Sequence, residues 1–253
     1  MSLIVATAAV EVRRLTRSGL LIGLLAVFAF FGLAGPALAL YMPEILGAAA
    51  GTEQLSIQAA EASPEDGVAL FNQSAMQLGL ILAVAVAITS LSWDSRPGSS
   101  IFYRTRVTRL ARLTVPRLII GWIAVIASYT IALVLAAGLT AMFLGPVEPR
   151  QLIGVGTASA IYLVMAMSIG YLIMTLTRRT TAAIASATVL MLMLPLLSSI
   201  DHLTAWAPTT LLAAPGLEPA ELARPLLSAT VVSAGCVLTA SLLATRHSLR
   251  REA

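Results

Sequence analysis

The segment from Leu20 to Met42 runs for about 23 residues without one charged side chain. A helix of that length reaches across the roughly 30 Å hydrocarbon core of a bilayer with some tilt. Once one segment must lie in lipid, its backbone has to be satisfied internally, and a helix does so within one segment. Comparable apolar runs follow at about 70–91, 118–144, 152–176, 181–200 and 225–245. The spacing therefore predicts an all-α integral membrane protein, a single domain over residues 1–253 with six transmembrane helices. Composition agrees: 11% of residues are charged and mean hydropathy is +0.90, against about 25% charged in a soluble domain.

The arginines orient this map. All sixteen basic residues are arginine. Arg13, Arg14 and Arg17 precede the first run, and Arg96, Arg104, Arg106, Arg109, Arg112 and Arg117 separate the second from the third. Arg178 and Arg179 separate the fourth from the fifth, and Arg246, Arg250 and Arg251 follow the sixth. Only Arg150 and Arg224 fall on the opposite side, which carries nine of the twelve acids. Arginine-rich segments stay in the cytoplasm, so both termini are expected there. Heavy use of alanine and the lack of lysine point to a G+C-rich bacterial genome, hence to a multi-pass protein of the bacterial plasma (inner) membrane. The same topology accounts for a pI near 9.8 and removes the need for a nucleic-acid partner. The lone Cys236 allows no intramolecular disulfide. Ala37-Leu38-Ala39 resembles a signal-peptide cleavage site, but the apolar run before it is too long for the usual h-region, so retention is expected.

Outside the runs, residues 2–18 read as an amphipathic interface helix. Ile4, Ala8, Val12 and Leu15 make an apolar stripe, with Arg13, Arg14 and Arg17 on the other side. Asp201 to Arg224 is half apolar and punctuated by Pro208, Pro215 and Pro219. Short helices dipping into the outer leaflet are expected at Thr209–Ala213 and Glu218–Arg224. Gly19/Gly23, Gly156/Ala160 and Ala166/Gly170 are small-xxx-small pairs that permit close helix contact.

The chemistry is sparse. No acid, base or histidine lies well inside a run, which disfavours a carrier that couples its own ions. No nucleotide loop and no HExxH motif occurs. No catalytic residue, cofactor site or metal site is therefore expected in the chain. Uncharged polar and soft residues remain: Asn72, Gln77, Tyr129, Tyr162, Tyr171 and Met165 are the candidates for lining a path for a small amphipathic molecule. Ordinary helix packing by the same residues is the alternative.

The segment Ser99-Ser100-Ile101-Phe102-Tyr103-Arg104-Thr105-Arg106-Val107-Thr108-Arg109 interleaves apolar residues with arginines. A purely solvated loop has no use for Ile101, Phe102 and Tyr103, so a docking surface is expected; aromatics resting in lipid headgroups are the alternative. This segment, the interface helix, the six runs and the Pro-rich outer loop together resemble the ABC-2 type permease family, the membrane subunits of ABC exporters. The resemblance covers nearly the whole chain. It implies a coupling helix between spans 2 and 3 that docks on a separate ATPase through Ser99, Ile101, Phe102, Tyr103, Arg104, Arg106 and Arg109. It implies re-entrant helices between spans 5 and 6. ATP and Mg would belong to the partner ATPase subunits, and a second permease copy or a paralogue would complete the path within membrane lipid. The chain departs from many members in lacking lysine in the coupling region. Export of a drug, antimicrobial peptide or lipid is the implied function. An ABC-2-like assembly factor and a six-span secondary carrier are the rival readings.

Overall fold

The computed structural model describes residues 3–49, 63–91, 111–197, 206–216 and 219–249, and these are all helical apart from short connections. Helix α1 (Leu3–Arg17) turns a corner at Ser18-Gly19 into α2 (Leu20–Ala49). Gly19 has φ +72°, a conformation a Cβ disfavours, and so the two helices meet without a longer loop. Next come α3 (Pro64–Ser74), a π-helical turn (Ala75–Gly79) and α4 (Leu80–Ser90), which together form one unbroken rod. They are followed by α5 (Ala111–Phe143), α6 (Pro149–Thr177), α7 (Thr180–Leu197), a 3₁₀ segment (Pro208–Gly216) and α8 (Pro219–Leu249).

Five of these helices are long and apolar enough to cross a membrane: Leu20–Met42, Pro64–Ser90, Leu113–Phe143, Pro149–Thr177 and Glu221–Ala244. The apolar helix Thr180–Pro195 is shorter, and its continuation toward residue 200 lies outside the described residues. Asp, Glu, Arg and His residues in all six stay within about two turns of a helix end. Large apolar side chains point outward on every side: Ile22 is 69% exposed, Val134 67% and Val231 69%. Water would not tolerate such a belt, whereas lipid tails are its natural solvent.

Helix boundaries differ from the apolar runs for local reasons. The second span starts at Pro64 rather than at residue 70, because Ser63 caps it. The Ser63 hydroxyl accepts from the Asp66 N–H and the Asp66 carboxylate accepts from the Ser63 N–H at 2.8 Å, with Pro64 in the first turn. The third helix starts at Ala111, so Arg112 and Arg117 belong to it rather than to the preceding loop. Glu218–Arg224 does not form a separate short helix from Pro219 onward: α8 continues unbroken through Pro225, as membrane helices often do. Arg178 ends α6 in the left-handed conformation (φ 55°), its N–H bonded to the Met174 carbonyl, and α7 starts two residues later.

Helix α6 stands at the centre, packed against α4, α5, α7, α8 and the 3₁₀ segment, while α2 packs on α3 and α5. The rod Pro64–Ser90 and α6 have 61% and 56% of their span residues buried, against 17% for α8, so these two make the interior. Close approach between α2 and α3 depends on Gly35, where a Cβ would lie 2.6 Å from the backbone of Phe71. Helix α1 rests on α5 and the start of α2.

Candidate functional site

Asn72, in the last turns of α3, is the hub of the largest buried polar cluster that the described hydrogen bonds define. Its Oδ1 accepts from the Tyr129 hydroxyl of α5 at 2.8 Å and from the Ser159 hydroxyl of α6 at 2.8 Å. Its Nδ2 donates to the Leu212 carbonyl of the 3₁₀ segment at 3.3 Å. Two hydroxyl donors on one side and a carbonyl on the other fix the amide orientation. Asn72, Tyr129 and Ser159 are each at most 1% exposed. Tyr129 is further held by Phe71, stacked at 5.6 Å, and by the edge of Phe28 at 5.8 Å. One side chain thus ties together α3, α5, α6 and the 3₁₀ segment. The π turn begins three residues later, at Ala75. A π turn inserts an extra residue into a helix, and such turns concentrate at functional sites.

A second contact lies toward the arginine-bearing end of the bundle. The Tyr171 and Thr114 hydroxyls share a hydrogen bond at 2.9 Å, joining α6 to the second turn of α5. Tyr171 is twelve residues along α6 from Ser159, so the two polar stations are separated by about 18 Å along the helix axis. Tyr162 and Met165 lie between them on α6, both buried.

The six path candidates therefore divide. Asn72 and Tyr129 touch; Tyr162, Met165 and Tyr171 sit at separate levels of the α6 core; Gln77 lies in the π turn and is exposed, apart from the others. Five of the six are closed off by packing, and the described structure holds them as core. Ser159 and the Leu212 carbonyl were not among the residues singled out from sequence. Ser159 lies 87 positions from Asn72 and looks like any other serine in an alanine-rich span. The docking candidates Ser99, Ile101, Phe102, Tyr103, Arg104, Arg106 and Arg109 lie outside the described residues.

A third cluster stands where the arginine-rich segment enters α5. Glu11 of α1 is 1% exposed; it accepts from Arg14 at 2.8 Å and faces Arg117 of α5 at 4.0 Å. Thr7, Glu11 and Leu15, spaced by one turn, form the buried face of α1. Of the apolar stripe Ile4, Ala8, Val12 and Leu15, expected to face lipid at the interface, Leu15 is buried against the protein while Ile4 and Val12 are about half exposed. Burial raises the Glu11 carboxyl above its ordinary value, while the Arg14 and Arg117 charges oppose that shift. Among the described residues, no three His, Cys, Asp or Glu side chains gather in a way that could hold a metal ion. Comparison with protein-family models, with curated proteins and with solved structures finds no match for this chain.

Proposed function

We propose that the chain is the membrane-spanning permease subunit of an ATP-driven ABC exporter, crossing the membrane six times, with ATP hydrolysis carried out by a separate subunit. The observation that carries this reading is the Pro-rich segment before the last helix. A simple outer loop would lie in water, yet Leu211 is fully buried and Leu212 is bonded to the Asn72 hub. That is the behaviour expected of a re-entrant element that closes one end of a path. The interface helix α1, docked on α5 near the start of that helix, supports the same reading, because a movement passed into the start of α5 would reach α1 as well. Export of a small amphipathic compound would require α3, α5 and α6 to part at Asn72, Tyr129 and Ser159.

Purification of the complex from native membranes, followed by mass spectrometry of its subunits, tests the reading. An ABC ATPase in stoichiometric amount is the expected finding, together with no ATP binding by the isolated chain. Transport by the purified chain alone, driven by an ion gradient, would contradict it and favour a secondary carrier.

A further inference from the structure

Between α1, the first turns of α2 and the neighbouring part of α5 lies a groove of about 330 Å³. Its walls are Val12 and Leu15 of α1, Leu21 and Leu25 of α2, and Ile123 and Ile131 of α5. Two hydroxyls line it, and both are already engaged with their own helices: Thr16 with the Val12 and Arg13 carbonyls, Ser128 with the Ala124 carbonyl. The groove therefore offers nothing to a polar ligand and a continuous apolar wall to a hydrocarbon. It opens outward, since Val12, Ile123 and Ile131 are 47%, 57% and 57% exposed. From Ile120 to Ile131 it follows α5 for about 16 Å, close to half of a roughly 30 Å hydrocarbon core. That length matches one leaflet.

The charge beside the groove is of one sign. On a helix at 100° per residue, Arg13 lies about 40° and Arg17 about 80° beyond the edge of the exposed arc formed by Val5, Ala9, Val12 and Thr16, on the same side of it. Both arginines are exposed, and neither has an acidic partner among the described residues. The one acid of α1, Glu11, is turned inward onto Arg14 and Arg117. A second copy of the chain would bring the same arginines against each other, which disfavours a protein occupant. We infer that this groove holds one acyl chain of an anionic phospholipid, whose headgroup is bound by Arg13 and Arg17. The site is independent of the transport reading. It would anchor α1 to the bundle through a lipid as well as through Glu11.

Native mass spectrometry of the full-length protein, titrated with phosphatidylglycerol or with phosphatidylethanolamine of the same chains, tests this. One phosphatidylglycerol per chain is expected to survive gas-phase activation, in clear preference to phosphatidylethanolamine. Ala127 is exposed and lines the groove, and the bulk of Ala127→Trp should exclude the chain and reduce that retention about tenfold. The double variant Arg13→Gln, Arg17→Gln should bind both lipids alike. Leu227→Trp, on the exposed side of α8, should retain phosphatidylglycerol as the unchanged protein does. Unchanged retention in Ala127→Trp, or an unchanged preference in the arginine variant, overturns the inference. Loss of self-association in Ala127→Trp with lipid retained overturns it too and makes the groove an interface between copies. Should Ala127→Trp fold poorly, Ala127→Cys with Cys236→Ser provides a second reading. Phosphatidylglycerol, but not phosphatidylethanolamine, should slow its modification by a maleimide, and equal rates in both lipids refute the site.

Discussion

At the scale of single residues, Asn72 and Glu11 are two polar side chains buried almost completely and held by partners on other helices. Asn72→Leu should leave the Leu212 carbonyl without its Asn72 partner and the Tyr129 hydroxyl with Ser159 alone, whereas Ser159 can also turn back to its own helix, as most serines here do. A loss of about 2 kcal/mol is expected by thermal unfolding in detergent. Adding Tyr129→Phe should recover part of that loss, because a hydroxyl that has lost its Asn72 acceptor is removed; strict additivity would show that the two do not interact. Glu11 behaves in the opposite sense. Its folded pKa is raised above the ordinary 4.5 by burial, so the folded state binds the proton more tightly than the unfolded chain does. Its contribution to stability is then best below 4.5, falls as pH rises toward the folded pKa, and is flat above it. Glu11→Gln should flatten that profile; a raised melting temperature at neutral pH would mean that desolvation outweighs the Arg14 and Arg117 charges. A lowered melting temperature at neutral pH would mean that Arg14 and Arg117 outweigh the desolvation. Neither partnership was legible in the sequence across elements: Asn72 and Tyr129 stand 57 positions apart, and only the Glu11–Arg14 spacing on one helix gave a local signal.

At the scale of elements, apolar run length placed the helices well but not their ends. Run length ignores polar residues that a helix takes into its first turns. Ser63-Pro64-Glu65-Asp66 carries a capping box that lengthens span 2, and it was readable. The start of α5 at Ala111 had no comparable signal, because Arg112 and Arg117 look like loop residues until Glu11 is seen facing one of them. Small-residue spacing was a mixed guide. Gly156 and Gly170 do meet neighbouring side chains, Leu133 and Val84, but Gly19 and Gly23 meet nothing within 4 Å, and the closest approach to a neighbouring backbone is at Gly35. Gly35→Ala should therefore destabilise the protein by about 2 kcal/mol, since the Phe71 backbone cannot yield as a side chain would. Gly23→Ala should change little. Equal effects in a thermal unfolding assay would show that the α2–α3 contact is looser than described.

At the scale of the whole molecule, the length of the apolar runs made the long membrane-crossing helices readable, because lipid leaves few solutions to an apolar chain. The interior arrangement was not readable: membrane helices are apolar all round, so the sequence does not mark which face meets which neighbour. Centrality of α6 emerges only from packing. For topology, cysteines introduced at Ser99 and Arg179 should react only from the cytoplasm, and those at Glu61 and Glu218 only from the opposite side; reversed labelling would invert the proposed orientation. Under the proposed function, an ATPase would dock on the arginine-rich segment with Phe102 as its anchor. Buried aromatics dominate such interfaces, so Phe102→Ala should lose on the order of 2 kcal/mol, roughly thirtyfold in affinity. The most direct measurement is the amount of ATPase subunit that co-purifies with Phe102→Ala, compared with the unchanged protein and with Ala50→Ser. A membrane-inserted Phe102→Ala protein that no longer retains its ATPase is the result predicted. Full retention of the ATPase, with hydrolysis still stimulated, would contradict the account and leave the segment a topogenic loop.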